Sequence, residues 1–266
     1  MRIVILGAGK MGSWLARESS GDHDIAIYDT DKTKLNGLNG KDITTLSYMQ
    51  DIALFDPELL INAVSLQNTV SAFEKAVPHI SKTCIIGDLA SIKGEIADYY
   101  ERSPFRFVSV HPMFGPTFAD MDALKEESAI IIKGSDKKGT QLLSMLFERL
   151  KVRIFEYSFD EHDRMMAYSL TLPFISSIAF ASCVDKGAVP GTTFSKHMRI
   201  AQGLLSEDDH LLTEILFNPY SLAELDRVTA KLEYLKHIIR ERDHEEMETF
   251  FLRLRENMLS REGVYE

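Results

Sequence analysis

Gly7, Gly9 and Gly12 stand in the run GAGKMG, directly after the apolar run RIVIL and at the start of a stretch that reads as helix through Trp14 and Leu15. That spacing suits a dinucleotide. The first glycine permits a tight turn, the second lets a pyrophosphate approach the backbone, and the third lets helix and strand pack closely. Free N–H groups at the helix start then face the phosphates, aided by the helix dipole. The cofactor-binding candidates are therefore Gly7, Ala8, Gly9, Lys10, Met11 and Gly12. Glycine-rich turns also occur as plain connections, so context has to strengthen this one. Asp29 supplies it: an acid at the end of the second strand run can hydrogen-bond the adenosine ribose 2′-hydroxyl and repel a 2′-phosphate. NAD is thus expected over NADP, with Lys32 and Lys34 able to offset the repulsion; the bland alternative is a helix-capping Asp in an inert turn. Ser65, just past the run LLINAV, is counted with the cofactor-binding residues.

Two further runs, DLASIK (88–93) and SVHPMFGPT (109–117), end strands on the edge of the sheet where doubly wound folds bind ligands. His111 ends a strand and precedes Pro112, which places its imidazole at the mouth of the nucleotide crevice, while Gly115 and Pro116 impose a turn. A histidine there is the natural group to take a proton from a hydroxyl as the carbon beneath it loses hydride. The histidines do not cluster and the cysteines form no CxxC pair, so no metal site is expected.

The elements that would position these groups follow from periodicity. Up to about residue 155, the short runs RIVIL (2–6), DIAIY (24–28), LLINAV (59–64), CIIGD (84–88), RFVSVH (106–111) and AIIIK (129–133) alternate with amphipathic helical stretches. The expected class is α/β, a Rossmann-type doubly wound parallel sheet followed by an all-helical C-terminal domain. The boundary falls near Tyr157, giving an NAD-binding domain over 1–157 and a helical substrate-binding and dimerisation domain over 158–266. The run 170–184 reads as a buried helix, interrupted by Thr, Ser and Pro and short for a bilayer. Leu225, Val228, Leu232, Leu235 and Ile239 step by helical spacing, and Met247, Phe250, Leu254 and Met258 continue the pattern. These seams are either intrachain core or a homodimer interface.

The 266 residues carry 30 basic against 40 acidic side chains, a net charge of -10 that argues against nucleic acid or an anionic membrane as partner. Small-molecule or protein partners are expected instead. Cys84 and Cys183 read as reduced and buried, in the cytoplasm. No signal peptide is expected, because Met1 runs straight into a strand and then glycines.

The motifs taken together resemble the prephenate dehydrogenase (TyrA) family of tyrosine biosynthesis over nearly the whole chain: GAGKMG, DLASIK, HPMFGPT, EHDRMMA (161–167) and MRIA (198–201). The wording is closest to the dehydrogenase part of enzymes fused to chorismate mutase, and no mutase helix is expected before Met1. The resemblance implies NAD-dependent oxidative decarboxylation of prephenate to 4-hydroxyphenylpyruvate, with His111 as acceptor and base for the ring hydroxyl. It implies that Ser91 hydrogen-bonds that hydroxyl or the histidine, and that Arg199 holds a substrate carboxylate. Lys196 and His197 could add positive charge, and Lys93 is a weaker substrate-binding candidate, otherwise a solvated strand-end lysine. His162 of the HD pair is expected as a helix-start or interdomain contact. The chain departs from relatives with a SHLPH segment, since Thr171 stands where their second histidine would be, and from those with HPIAGTE, since Thr117 replaces a glutamate. Both departures bear on substrate preference. The rivals are an arogenate dehydrogenase, a related 3-hydroxyacid dehydrogenase using a lysine of the helical domain, and an NAD-binding regulator without turnover. Feedback by tyrosine would have to act without a separate regulatory domain.

Overall fold

The computed structural model describes residues 1–38, 42–115, 119–120, 123–185, 187 and 189–259, so Pro116 and Thr117 lie outside the described residues. Strand β1 (Arg2–Leu6) leads into helix α1 (Lys10–Ser19), and β2 (Asp24–Tyr28) into β3 (Ile43–Thr45) and α2 (Asp51–Phe55). Then come β4 (Leu59–Asn62), α3 (Thr69–Ala76), β5 (Ile85–Asp88), α4 (Gly94–Arg102) and β6 (Phe107–Pro112). With β7 (Ser128–Ile132), α5 (Lys137–Arg149) and β8 (Arg153–Tyr157) they make an eight-stranded sheet ordered β3-β2-β1-β4-β5-β6-β7-β8. β4 and β5 are buried at every position because helices cover both faces. Ile3, Ile5, Ile27 and Ile61 pack on one side with Trp14 and Leu15 of α1, whereas Val4, Leu6, Leu60 and Ile86 pack on the other with Phe73 of α3 and Tyr100 of α4.

The sheet is parallel as expected except at one pairing. β6 and β7 run antiparallel, with Val110 opposite Ile131 and Pro112 opposite Ala129. A parallel return needs a crossover helix, and between these strands the only helical element among the described residues is the short 3₁₀ turn Leu124–Glu126. β7 and β8 are parallel to each other, so Tyr157 pairs with Ile132 at the end of the sheet where β6 begins. The edge strands β3 and β8 lie outside the strand runs legible in the sequence; both are partly exposed and broken by polar residues.

Every described element beyond β8 is helical: α6 (Phe159–Met166), a π-type turn (Ala167–Thr171), α7 (Leu172–Ser182), α8 (Thr192–Leu204), α9 (Asp209–Leu216), α10 (Ser221–Glu241) and α11 (His244–Leu259). A capping box opens α6: Ser158 Oγ accepts from the Glu161 amide at 3.2 Å, while the Ser158 amide donates to Glu161 Oε2 at 2.7 Å. Phe159 stacks 6.1 Å from Phe107 at the start of β6, and Met166 is buried against Ile130 and Ile132. The helix therefore runs back across the sheet toward the carboxyl end of β6.

The helical half corrects two expectations. No residue of α7 is buried, although the run was expected inside, because neighbouring helices cover only part of a surface that is apolar on most sides. Phe159–Ser182 forms 24 residues of continuous helix with mean hydropathy 1.4, long and apolar enough by length and composition to cross a membrane. Its first part is anchored on the sheet through His162 and Met166, which leaves the eleven residues of α7 as the open portion. Cys183 caps α7 and is exposed, whereas Cys84 is buried as expected, its thiol pushed up to about 12 by burial. The seam of α10 is open as well, with Leu225, Leu232 and Ile239 at 41%, 57% and 60% exposure, and so is Met258 on α11 at 71%.

Candidate active site

The glycine turn is tied down from both sides. The Gly7 amide donates to Tyr28 O and the Ala63 amide to Leu6 O, both at 2.8 Å, so the turn is stitched to β2 and β4. Gly7 has φ +95°, and a methyl there would meet Ala63 O at 2.8 Å. At Gly12 a methyl would lie 2.0 Å from Gly7 O, so the close packing of α1 on β1 requires a glycine. Gly9 is different. A methyl at Gly9 meets nothing within 4 Å, and Gly9 caps α1 with no side-chain hydrogen bond to the first amides. Open space and free helix-start donors are what a phosphate needs.

Asp29 is buried beside the turn. Its Oδ2 accepts from the Ala8 amide at 2.7 Å and its Oδ1 from the Asp31 amide at 2.8 Å, leaving further lone pairs toward a cleft. The cleft holds about 380 Å³ and is lined by Gly7, Gly9, Asp29 and Ser65, with Lys34 and Lys75 also on its wall. Lys32 points its ammonium at Asp29 O and Leu46 O, at 2.9 and 3.4 Å, over the Tyr28 ring. Lys10 is exposed and Met11 half-buried on the first turn of α1.

His111 sits at the carboxyl end of β6, on the same sheet edge, and is 5% exposed. Phe114 in the following loop meets Trp14 of α1 edge to face, with centroids 5.4 Å apart, so the histidine loop packs on the helix of the glycine turn. Nδ1 of His111 lies 3.0 Å from Nε2 of His162, and Nδ1 of His162 lies 3.0 Å from Asp163 Oδ1. Burial holds the His111 imidazole well below its ordinary pKa, and His162 and Lys93 lower it further. His162, also lowered by burial, is pulled back partly by Asp163.

Lys93 is neither solvated nor presented to a substrate. It is fully buried, with Nζ 2.5 Å from Asp88 Oδ2 and 2.9 Å from Val110 O, and Tyr100 donates to Asp88 Oδ1 at 2.7 Å. The pair braces the end of β5 against the residue preceding His111. Ser91 is half-buried, and His111 Nδ1 is met by His162 Nε2. Lys196, His197 and Arg199 lie exposed on α8, and no contact joins them to His111 among the described residues. His197 Nδ1 bonds Thr193 O at 3.0 Å on its own helix. Thr171 is buried in the helical region, its hydroxyl 2.6 Å from Ser221 Oγ. The His162–Asp163 partnership goes beyond a helix-start contact, and the HD pair is its signal in the sequence.

A family model described as the nucleotide-binding domain of prephenate dehydrogenase matches residues 15–155. The match begins just past the glycine turn, which stands on its own geometry. The T-protein of Haemophilus influenzae is 25% identical over 185 residues, covering 67% of this chain and 44% of that protein. The chain spans about half the length of the curated relatives it matches. A prephenate dehydrogenase from A. aeolicus, solved in complex with hydroxyphenyl propionate and NAD+, shares the fold with a TM-score of 0.84 at 19% identity, over 98% of each chain. An arogenate dehydrogenase from Synechocystis has a TM-score of 0.77 at 18% identity, over 98% of this chain and 99% of that one.

Proposed function

The chain belongs to the prephenate dehydrogenase family, and we propose that it oxidatively decarboxylates prephenate to 4-hydroxyphenylpyruvate with NAD as hydride acceptor. The observation that carries this reading is the placement of His111, buried at the strand end whose loop packs on the helix of the glycine turn. Gly7, Gly9 and the first amides of α1 would hold NAD, with Asp29 toward its ribose, and the bound cofactor would supply the acceptor for hydride. His111 takes the proton of the ring hydroxyl as the carbon that bears it is oxidised. Loss of the ring carboxylate as carbon dioxide then aromatises the ring. Ser91, half-buried near the end of β5, is the second group for that hydroxyl, and Arg199 with Lys196 and His197 holds carboxylate charge from α8. The substrate's side chain distinguishes prephenate from arogenate, while the ring chemistry is the same. NADH formation with each substrate, measured side by side, tests the proposal: turnover of arogenate alone would move the assignment to that substrate, and turnover of neither would leave a nucleotide-binding protein.

The glycines give a sharper test of the cofactor. Gly9→Ala should leave thermal unfolding unchanged yet weaken NAD binding about tenfold or more, since only a ligand occupies the space the methyl would enter. Gly12→Ala should instead destabilise the protein by roughly 1–3 kcal/mol, because its methyl collides with Gly7 O. Equal Kd values for wild type and Gly9→Ala by calorimetry would remove the turn from the cofactor site. Arg199→Ala should raise the apparent KM for the dicarboxylate roughly tenfold or more; an unchanged KM would place carboxylate recognition elsewhere.

The partner proposed is a second copy of the chain, in a cytoplasmic homodimer. α7 has no buried residue, and α10 and α11 expose Leu225, Leu232, Ile239, Leu254 and Met258, apolar side chains that a second copy would cover. A monomeric mass in sedimentation equilibrium would refute the dimer.

A further inference from the structure

We infer that His162 is a positioning residue that selects which ring nitrogen of His111 is free to act as base. The inference rests on the reading that His111 takes the hydroxyl proton, and it follows from one line of hydrogen bonds. A carboxylate oxygen accepts, so Asp163 Oδ1 at 3.0 Å requires the hydrogen of a neutral His162 ring to be on Nδ1. Nε2 of His162 then carries a lone pair, and it faces His111 Nδ1 at 3.0 Å. His111 must donate from Nδ1, which leaves its Nε2 bare. The tautomer of the base is thus set from a residue in the next structural region, as outer partners set the tautomer of a metal-bound histidine.

The surroundings keep the line fixed. His162 has no solvent exposure, and the side chain of Asp163 is 19% exposed. Asn218 Nδ2 donates to Asp163 O at 2.9 Å, holding the backbone of α6 from the side of α10. Lys93 Nζ holds Val110 O, the carbonyl just before His111. The titratable groups around the pair are Asp163 on α6, Asp88 and Lys93 at the end of β5, and Tyr100 on α4. Lys93 disfavours the charged form of either histidine, which matches a base that begins neutral. Once His111 gains a proton at Nε2, its Nδ1–H remains bonded to His162, and the Asp163 carboxylate lies at the far end of the line to oppose the new charge.

The test reads the tautomer without needing turnover. Long-range ¹H–¹⁵N correlation spectra of the full chain, with and without NAD, should show His111 protonated on Nδ1 and bare on Nε2, with the signals assigned through His111→Asn and His162→Gln. His162→Leu removes the acceptor at similar volume and should lower kcat on the order of ten- to a hundredfold, with KM within about twofold. His162→Gln can still accept from His111 Nδ1 and should recover most of that loss. His111 found protonated on Nε2 in the wild-type protein would overturn the inference, and so would equal kcat values for the Leu and Gln variants, the mark of a purely structural role. If His162→Leu does not fold, the wild-type spectrum and Asp163→Asn, which should mix the two tautomers, still decide. NADH formation with neither prephenate nor arogenate would instead defeat the functional reading, and the spectrum would stand apart from it.

Discussion

His111→Asn should lower turnover by roughly two orders of magnitude or more, the scale of a lost general base, while leaving NAD binding within about twofold. The substitution suits the test because an asparagine amide can still donate toward His162 Nε2, the contact that His111 Nδ1 makes at 3.0 Å, yet it has no group that can take a proton at the position of Nε2. Stopped-flow or steady-state NADH formation reads the chemical step, and fluorescence titration reads the cofactor. Turnover near the wild-type rate would show that His111 is not the base. The environment of His111 also sets a pH dependence. Burial, then His162 and Lys93, hold its pKa well below 6.5, so the base is already neutral at pH 6.5 and kcat/KM should fall only at lower pH. Stability follows the same sign. The unfolded chain binds protons at both His111 and His162 before the folded one does, so their contribution is fully present above pH 6.5 and is lost as pH falls from there toward the depressed folded values. Urea midpoints measured from pH 7.5 down to 5 should fall accordingly, and part of that slope should vanish in His162→Gln.

Lys93→Met should cost about 3–5 kcal/mol of folding stability, the penalty for leaving a buried carboxylate without its cation. Asp88 and Lys93 have fully buried side chains 2.5 Å apart, so neither charge can turn to water when the other is removed. Adding Asp88→Asn should restore most of the loss, since the amide carries no charge and its oxygen can still accept from Tyr100. A single variant within about 1 kcal/mol of wild type in chemical denaturation would contradict a tightly sealed pair. Because Lys93 also holds Val110 O, the double variant should be stable yet slower, and that separates bracing of the strand end from stability alone.

The parts of the fold that the sequence makes legible are those where one physical requirement dominates. β1, β2, β4, β5 and β6 are apolar because helices cover both faces, and they can be read directly. β3 and β8 could not be read this way: ITT and RIFEY lie at the sheet edges, half-exposed, and their pattern resembles that of a loop. The antiparallel turn into β7 is a matter of connection length rather than strand composition, so AIIIK betrayed its existence and not its direction. Glycine spacing announced the nucleotide turn, since Gly7 and Gly12 answer to backbone contacts a few residues away. The burial of Lys93 is not legible in the sequence, because a lysine beside a strand end is usually solvated. Its burial depends on Asp88 and Tyr100, which only the folded chain brings to it. The contact of His162 is hidden for the same reason, as its partner stands 51 residues earlier in the chain. α7 runs the other way: an apolar run normally means core, and here neighbouring helices leave every residue of the helix at least partly exposed.

The reversal of direction at β7 bears on whether the molecule can be dissected. β8 ends at the edge of the sheet where β6 begins, with β7 between them, and the first turn of α6 carries the chain from the Phe159 contact with Phe107 to the His162 contact with His111. A fragment cut after Tyr157 would keep all eight strands and the glycine turn, yet it would strip Phe159 from Phe107 and Tyr100 and take the acceptor away from His111 Nδ1. Such a fragment could remain a nucleotide receptacle, but its histidine would no longer be in the native protonation geometry. The two halves of the chain are separable as topology and inseparable as chemistry.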